Sequence, residues 1–352
     1  MTVSYKMAQT KLKSGLLALA IALGISACTT DTVIEASEAN QPAVAAFHPE
    51  GFTGVDESLQ TDFDPLQAGI PAPEGYRTSL DRDAIFPVYE PVFNETAAAG
   101  WPDDELIIGV ERDGDARAYP VGFLRSREIV NDIHGGEATL ITWCPLCGTG
   151  MVHSREVDGE ILSFGNQGDL HNNAMTLFDH GTGTIWSQPF GSAILGDLEG
   201  TELELQPSTL TSWGAWKSEF PDSLALAAPS INAGTTINNL HIVVDLGDAQ
   251  TAVSAELLET EVVINTEVGD TQVAFIREPG LETWHVVNRD IGTETVTLEW
   301  DGETIVGNNG IRWTLNGIPL NSDDPILAPI AAFTQFIDDF AVFFPDGTIV
   351  GE

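Results

Sequence analysis

The sequence predicts a β-rich α+β fold made of two degenerate copies of one unit, packed as a pseudo-symmetric pair. Two observations lead to this fold class. Short apolar, β-branched runs bounded by Asp, Gly and Pro recur through residues 105–306, as is typical of buried strands. In addition, the segment 113–141 reappears at 246–275 with nearly the same spacing, which favours a duplication.

The predicted elements follow in chain order. Strands are predicted at 105–110, 138–143, 160–164, 174–178, 183–186, 295–300 and 304–306. Helices are predicted at only two places, 120–129 and 208–220, where Ser208 can cap the start and Pro221 ends the helix. Hairpin turns are predicted at three Asp-Gly pairs, 113–114, 158–159 and 301–302.

The amino terminus has the features of an export signal. Three lysines within the first 13 residues precede an apolar stretch at 15–25, and small residues then precede Cys28. The order Ile-Ser-Ala-Cys at 25–28 resembles the lipobox that a lipoprotein signal peptidase cuts. We expect removal of residues 1–27 and lipidation of Cys28. The lipid would anchor the protein on the extracytoplasmic side of a membrane of the cell envelope, the outer membrane in a two-membrane bacterium.

Three regions are expected after the signal. Residues 28–75 are acidic and lack apolar periodicity, which predicts a flexible tether. Residues 76–228 form the first repeat and residues 229–352 the second. Where the first repeat has two cysteines, the second has roughly the residues Arg-Glu-Pro-Gly at 277–280. We therefore expect the second repeat to be a scaffold without the site.

The charge of the chain limits its partners. It carries 14 Lys+Arg against 53 Asp+Glu, a formal net charge of −39 at pH 7. Phosphate binding requires a basic face, so nucleic acid is excluded as a partner. Self-repulsion of this size destabilises a compact state unless salt screens it, which suggests a saline habitat.

The candidate site for chemistry is the cysteine pair Cys144 and Cys147, within the run W-C-P-L-C-G-T-G-M-V-H at 143–153. Thiolates select soft metals, and copper suits an exported protein better than a structural zinc. Further ligands would be needed to complete the coordination. The candidates are Met151, His153, His134 and His171.

Two alternatives use the same pair of cysteines. A C-P-x-C pair after a strand is found in thiol-disulfide proteins of the thioredoxin type, although the following Gly-Thr-Gly at 148–150 is a poor helix start. The pair can also be a structural staple in a non-catalytic binding or assembly module that uses the cleft between the repeats. The sequence leaves these readings open.

The first repeat resembles domain-of-unknown-function family 3179, whose members are exported proteins of bacteria and archaea. The resemblance covers about 81–225 and depends on the order and spacing of R-E-I-V-N-D at 127–132, T-W-C-P-L-C-G-T at 142–149 and W-S-Q at 186–188. It implies the architecture and the cysteine pair but no reaction. Family members commonly carry His where Arg127 stands, and a guanidinium has no lone pair to donate to a metal.

Further candidates surround these motifs. Arg125 and Arg127 are candidates for an anion pocket, because Arg presents a planar fork to a carboxylate or phosphate. Other polar and aromatic motif residues are candidates to line a cleft or, equally, to tie turns through side-chain to backbone bonds. They are Asn131, Asp132, Asp179, Trp186 and Gln188.

Sodium chloride should stabilise the protein, because screening reduces repulsion among the many carboxylates. We expect the melting temperature to rise as NaCl increases towards about 1 M, where the Debye length falls to about 3 Å. Thermal unfolding followed by circular dichroism checks this expectation. A melting temperature that stays flat or falls with added NaCl would contradict it.

Overall fold

The structure is a computed structural model that describes residues 61–280 and 283–351. These residues form 27 strands and four short helices, which confirms the β-rich α+β class. The predicted signal, Cys28 and residues 28–60 of the predicted tether lie outside the described residues. No helix in the described part is long and apolar enough to cross a membrane.

The first half of the chain contains fifteen of the strands and two of the helices. Its strands are β1 (Tyr76–Arg77), β2 (Phe93–Glu95), β3 (Leu106–Arg112), β4 (Asp115–Pro120), β5 (Ile129–His134), β6 (Glu137–Cys144), β7 (Thr149–Ser154), β8 (Glu156–Val157), β9 (Glu160–Ile161), β10 (Phe164–His171), β11 (Ala174–Asp179), β12 (Ile185–Ser187), β13 (Ser192–Leu195), β14 (Thr209–Ser212) and β15 (Leu224–Leu226). Its helices are α1 (Val121–Leu124) and α2 (Trp213–Glu219).

The second half contains the remaining elements. Its strands are β16 (His241–Asp245), β17 (Gln250–Ser254), β18 (Val263–Val268), β19 (Thr271–Arg277), β20 (Trp284–Asn288), β21 (Asp290–Ile291), β22 (Glu294–Thr295), β23 (Leu298–Trp300), β24 (Ile305–Gly307), β25 (Arg312–Trp313), β26 (Phe333–Gln335) and β27 (Thr348–Val350). Its helices are α3 (Leu258–Glu261) and α4 (Ile337–Phe343).

The same strand connectivity occurs in each half. In the first, β3 and β4 form a hairpin, with β14 antiparallel to β3 and β15 parallel to β4. In the second, β16 and β17 form a hairpin, with β26 antiparallel to β16 and β27 parallel to β17. After each hairpin come a short helix, α1 or α3, and an antiparallel three-stranded sheet, β5-β6-β7 or β18-β19-β20. In the first half, β2 pairs with β15 at the edge of the sheet β14-β3-β4-β15. The other sheets of the described part are β1-β10-β11-β12-β13, β23-β24-β25, β8-β9 and β21-β22.

One asparagine in each half ties its three-stranded sheet to the following part of the chain. Asn131 Nδ2 donates to the backbone oxygen of Phe164 at 2.9 Å, and its Oδ1 accepts from the Phe164 N–H at 2.8 Å. Asn265 makes the same two bonds with Leu298, at 2.8 and 2.9 Å. Each amide therefore satisfies a donor and an acceptor that would otherwise lose their partners inside the protein.

A buried arginine repeats in the same way. Arg155 donates to three backbone oxygens, those of Thr139, Leu162 and Asp132. Arg289 donates to the backbone oxygens of Val273, Val296 and Thr266. Since a guanidinium offers five N–H donors in a fixed fork, one such side chain can fix several backbone segments at once.

Two hydrophobic clusters join the halves. The larger contains Ile108 and Trp143 from the first half and Val244 and Phe275 from the second. The other contains both Cys144 and Cys147 together with second-half residues of β16, β17, β26 and α4. The cysteines therefore lie where the two halves meet.

Both predicted helices are shorter than expected. The helix predicted at 120–129 is reduced to α1, because Glu128 has a φ of 61° and the next residue begins β5. The stretch predicted as a helix at 208–220 begins with strand β14, and Ser212 rather than Ser208 caps α2. Pairing of β14 with β3 overrides the helical pattern there, since tertiary contacts outweigh propensity.

The strand and turn predictions agree with the structure more closely than the helix predictions do. Each of the seven predicted strands overlaps an observed one, although 160–164 and 295–300 are each interrupted between two strands. At these interruptions Leu162 donates its N–H to Arg155 O, and Val296 donates to Arg289 O. The three Asp-Gly pairs connect β3 to β4, β8 to β9 and β23 to β24, which confirms the hairpin turns.

The last part of the predicted tether lies against the first half. The Thr61 N–H donates to His180 O at 2.8 Å, and Arg82 Nη1 donates to Phe63 O at 2.7 Å. Asp64 is buried, with Arg82 Nε 3.6 Å from its Oδ2. Residues 61–75 therefore contribute contacts to the folded body.

Removing the Asn131 tie should cost more stability than removing its counterpart. In Asn131→Ala the buried N–H and C=O of Phe164 lose their partners, so we expect the free energy of unfolding to fall by about 2 to 3 kcal/mol. Asn265→Ala is the matched control, and because Asn265 is only half-buried we expect a loss of about 1 kcal/mol. Urea unfolding measures both values. A loss at Asn131 no larger than that at Asn265 would contradict the expectation.

Candidate functional site

The cysteine pair lies directly beneath a surface turn. Cys144 ends β6 opposite Thr149, the first residue of β7, and residues 145–148 form the turn between these strands. Leu146 at the tip of the turn is 52% exposed, whereas both cysteines are 0% exposed. The exposed tip of this turn therefore lies next to two fully buried sulfurs.

The two sulfurs are unbonded to each other and share a hydrogen-bond network. The Cys147 thiol donates to the Cys144 sulfur, which also accepts from the backbone N–H groups of Met175 and Cys147. Thr149 Oγ1 donates to Cys147 Sγ at 3.1 Å. The Cys144 sulfur thus accepts from three donors, an arrangement that favours negative charge on it.

The two thiols differ in acidity for this reason. Burial raises the pKa of the Cys144 thiol, but the hydrogen bonds from Cys147 and the backbone outweigh burial, and its pKa lies below the ordinary value. Burial and the hydrogen bond to Cys144 raise the pKa of Cys147 well above its ordinary value. In the pair, Cys144 is the favoured thiolate and Cys147 the proton donor.

A buried carboxyl group acts on Cys144. Glu128 precedes β5, and its backbone oxygen accepts from the N–H of Trp143, the residue before Cys144. Burial raises the pKa of Glu128 to about 7, although the bond from Asn166 Nδ2 to its Oε2 at 2.6 Å opposes the shift. The negative charge of Glu128 in turn raises the pKa of Cys144. Ionisation of Glu128 therefore disfavours a thiolate at Cys144.

Glu128 is the inner end of a chain of hydrogen bonds, which we call the polar chain: Glu128, Asn166, Asp83, Tyr89 and His180. The Asn166 N–H donates to Asp83 Oδ1 at 2.8 Å, and Tyr89 Oη donates to Asp83 Oδ2 at 3.2 Å. Tyr89 Oη also lies 2.9 Å from His180 Nε2. Burial raises the pKa of Asp83 to about 6 and lowers that of His180 to about 4.

The candidate metal ligands lie at different places. Met151 packs in the same hydrophobic cluster as the two cysteines. His153 lies two residues further along β7, and His171 Nδ1 is 3.4 Å from Ser187 Oγ. His134 lies at the far end of the β5-β6 hairpin, about 23 Å from Cys144 at the usual rise per residue, with Nε2 2.7 Å from Asp115 O. Within the described residues, no group of three or more His, Cys, Asp or Glu side chains that could hold a metal ion occurs.

The two candidate anion-pocket arginines make separate contacts. Arg125 Nη1 donates to Asn232 O at 3.2 Å. Arg127 lies with its guanidinium carbon 5.8 Å from the centre of the Phe123 ring.

The candidate cleft residues mainly bond the backbone or their neighbours. Asn131 holds Phe164, as described above, and Asp132 Oδ2 accepts from Arg117 Nη1 and Tyr119 Oη at 2.7 and 2.6 Å. Asp179 accepts from the Trp186 indole N–H at 3.0 Å.

Gln188 is the one member of this set that lies next to the cysteine turn. Its Nε2 donates to Thr142 Oγ1 and to Thr149 O, each at 3.1 Å. Gln188 is buried and lies against the first residue of β7.

The segment that contains the site matches a known family model. Residues 82–233 match the family model described as protein of unknown function (DUF3179). This segment belongs to that family. The match includes the cysteine turn, the polar chain and β14, and it confirms the resemblance seen in the sequence. No curated protein and no solved structure matches the chain.

Several residues of the site in the DUF3179 segment are not predicted from the sequence. Glu128 lies inside a motif, but the sequence suggests only that it pairs with the nearby arginines. Its φ of 61° depends on the packing around it. Asp83, Tyr89 and His180 are far from the cysteines along the chain. Their only available signal is that each is a polar residue within the matched segment.

The buried Glu128 should make stability depend on pH. Its pKa is about 7 in the folded protein, whereas the ordinary value is 4.5, so between these values the folded state holds a proton that the unfolded state releases. This group alone should therefore make stability fall by up to about 3 kcal/mol as pH rises from 4.5 to about 7. Glu128→Gln should remove that part of the slope.

Urea unfolding of the reduced protein across this pH range measures the effect. The raised pKa of Asp83 acts in the same direction, whereas the lowered pKa values of His153, His180 and His285, each about 4, act in the opposite direction below about pH 6.5. The contribution of Glu128 is therefore measured as the difference in slope between the unsubstituted protein and Glu128→Gln. Glu160→Gln, which changes an exposed carboxylate, is the control and should keep the full slope. Equal slopes in Glu128→Gln and the control would contradict the expectation.

Proposed function

We propose that the first half carries a thiol-disulfide centre in which Cys144 is the nucleophile and Cys147 the resolving thiol. The observation that carries the proposal is the hydrogen-bond network of the pair. The Cys147 thiol donates to Cys144, and two backbone N–H groups donate to the same sulfur. A sulfur held this way is prepared to be a thiolate, the reactive form in disulfide exchange.

The reaction partner is a disulfide, R–S–S–R′. The Cys144 thiolate attacks one sulfur of the partner, a Cys144–S–S–R bond forms, and R′–S⁻ leaves and takes the proton of the Cys147 thiol. The Cys147 thiolate then attacks the Cys144 sulfur, and R–S⁻ leaves and takes up the proton that the Cys144 thiol had released. The two protein thiols lose two electrons and two protons, and the partner gains both.

Access to the pair requires movement of the turn. Both sulfurs are fully covered, and the exposed tip at Leu146 is the part nearest to solvent. Exchange therefore proceeds when residues 145–148 shift, and the folded protein reacts with soluble reagents more slowly than the unfolded chain does.

The copper prediction uses the same two sulfurs. Thiolates are ligands for Cu(I), and Met151 packs in the same cluster as the pair. The hydrogen bonds around Cys144 give more support to the redox function, because they account for two thiols of different acidity in one turn.

We also propose that the protein is an exported lipoprotein anchored through Cys28, and that its halves are degenerate copies of one unit packed as a pseudo-symmetric pair. The first rests on the signal and lipobox pattern. The second is supported by the repeated connectivity, by Asn131 and Asn265, and by Arg155 and Arg289. In the second copy Glu278 stands where the first has Cys144, since its N–H pairs with Thr283 O.

The redox function is tested by counting thiols in a Cys28→Ala background. The protein is equilibrated in glutathione buffers of increasing oxidation, quenched with acid and alkylated in denaturant. We expect the number of alkylated thiols to fall from two to zero as the buffer becomes more oxidising, and to return to two when the protein is reduced again. The circular dichroism spectrum should stay unchanged throughout. Cys147→Ser should accumulate a mixed disulfide with glutathione at Cys144, whereas Cys144→Ser should form less at Cys147.

Two results would contradict the redox function. One is a thiol count that stays at two, or at zero, across the whole series while the protein remains folded. The other is mixed-disulfide formation that is equal in the two Ser variants. Tight binding of one equivalent of Cu(I), lost in Cys144→Ser, together with a constant thiol count would support the copper prediction instead.

A further inference from the structure

A cavity separate from the cysteine pair lies between the two halves. Its volume is about 450 Å³, and its walls come from β7, the segment after β12, β16 and the end of α4. Neither cysteine lines it, although Met151 on the cysteine-bearing sheet does. An occupant of this cavity need not take part in the proposed disulfide exchange.

Three phenylalanine rings form one wall of the cavity. Phe190 is 37% exposed, and its ring centre lies 4.9 Å from that of Phe343 and 5.8 Å from that of Phe344. The Phe190 plane makes angles of 67° and 87° with the two others. Phe190 packs edge to face on the two other rings where all three line the cavity, and a ring face turned towards the cavity attracts an organic ammonium group because it carries partial negative charge.

The polar groups around these rings are acidic. Glu202, Asp245 and Asp346 line the cavity, and Glu202 and Asp346 are exposed. Among the described residues that line the cavity, none is Lys or Arg. The rim is therefore complementary to a positive charge, whereas an anion would be repelled.

His153 leaves the cavity without a positive charge of its own. Its side chain lines the cavity and is only 3% exposed, and a Cβ added at Gly191 would lie 2.7 Å from its Nε2. Burial lowers the pKa of His153 to about 4, so the ring is neutral at about pH 7.

We propose that this cavity binds a small organic cation: an amine or quaternary ammonium group on an apolar body. The ammonium group would face the Phe190, Phe343 and Phe344 rings and the carboxylates of the rim, and the apolar body would contact Leu203, Leu205 and Met151. Both parts of the ligand have a matching wall. A purely apolar ligand would leave the acidic rim unused, and an inorganic cation would leave the apolar walls unused.

The test compares three probes with the same phenyl body: phenethylammonium, 2-phenylethanol and 3-phenylpropanoate. Binding to the full chain is measured at about pH 7 by ligand-observed NMR titration. We expect phenethylammonium to bind about tenfold more tightly than 2-phenylethanol, a ratio that corresponds to about 1.4 kcal/mol, and 3-phenylpropanoate to show no saturable binding.

Variants locate the binding. Phe190→Leu keeps an apolar side chain at a partly exposed position and should weaken phenethylammonium binding about fivefold, with little effect on the alcohol. Asp346→Asn and Glu202→Gln should each weaken it about threefold. Asp222→Asn is the matched control, because Asp222 ends the same Phe-Pro-Asp sequence in the first half but does not line this cavity.

Each of three results would overturn the proposal. They are equal affinity for phenethylammonium and 2-phenylethanol, no difference between Asp346→Asn and Asp222→Asn, and no saturable binding of phenethylammonium up to about 10 mM, the range of weak but specific ligands. Cys144→Ser should leave cation binding unchanged, so failure of the disulfide function and failure of this proposal are distinguishable.

Discussion

The turn that carries the two cysteines is held in place by the half of the chain that has none. The Phe336 N–H donates to Cys147 O at 2.8 Å, and Thr334 Oγ1 donates to Gly148 O at 3.0 Å. Gly148 has a φ of 64°, and a Cβ there would lie 2.6 Å from Leu240 Cδ2, so glycine is required for two independent reasons. Because the sulfurs are buried, their hydrogen bonds depend on a fixed backbone, and the second half supplies the contacts that fix it.

These contacts between the halves run in both directions. Thr209 Oγ1 donates to Trp284 O at 3.1 Å, and Thr211 Oγ1 lies 2.5 Å from Thr283 Oγ1, so the first half also holds the start of β20. A second half without thiols is therefore still needed: its removal would uncover the cysteine turn and divide the hydrophobic core that both halves share.

The sequence predicts the strands and hairpin turns well, because both depend on local chemistry. Asp-Gly pairs favour positive φ at adjacent positions, and Asp113 and Gly114 have φ values of 52° and 87°. The stretch at 208–212 is different, since it becomes β14 only through pairing with β3, about 100 residues earlier. The cysteine pair is visible as a motif, but its acid partner is not. The position of Glu128 near the cysteine turn depends on the pairing of β5 with β6 and on the hydrogen bond from Asn166 of β10.

The acid-base behaviour of the site depends on two buried groups, Cys144 and Glu128. The Cys144 sulfur accepts three hydrogen bonds that favour a thiolate, while Glu128 nearby has a pKa of about 7 and raises the pKa of Cys144 when ionised. An ionised Glu128 raises the pKa of Cys144, so a thiolate at Cys144 favours a protonated Glu128. Since an isolated charge in a low-dielectric interior is costly, the two groups favour a state in which only one of them is ionised.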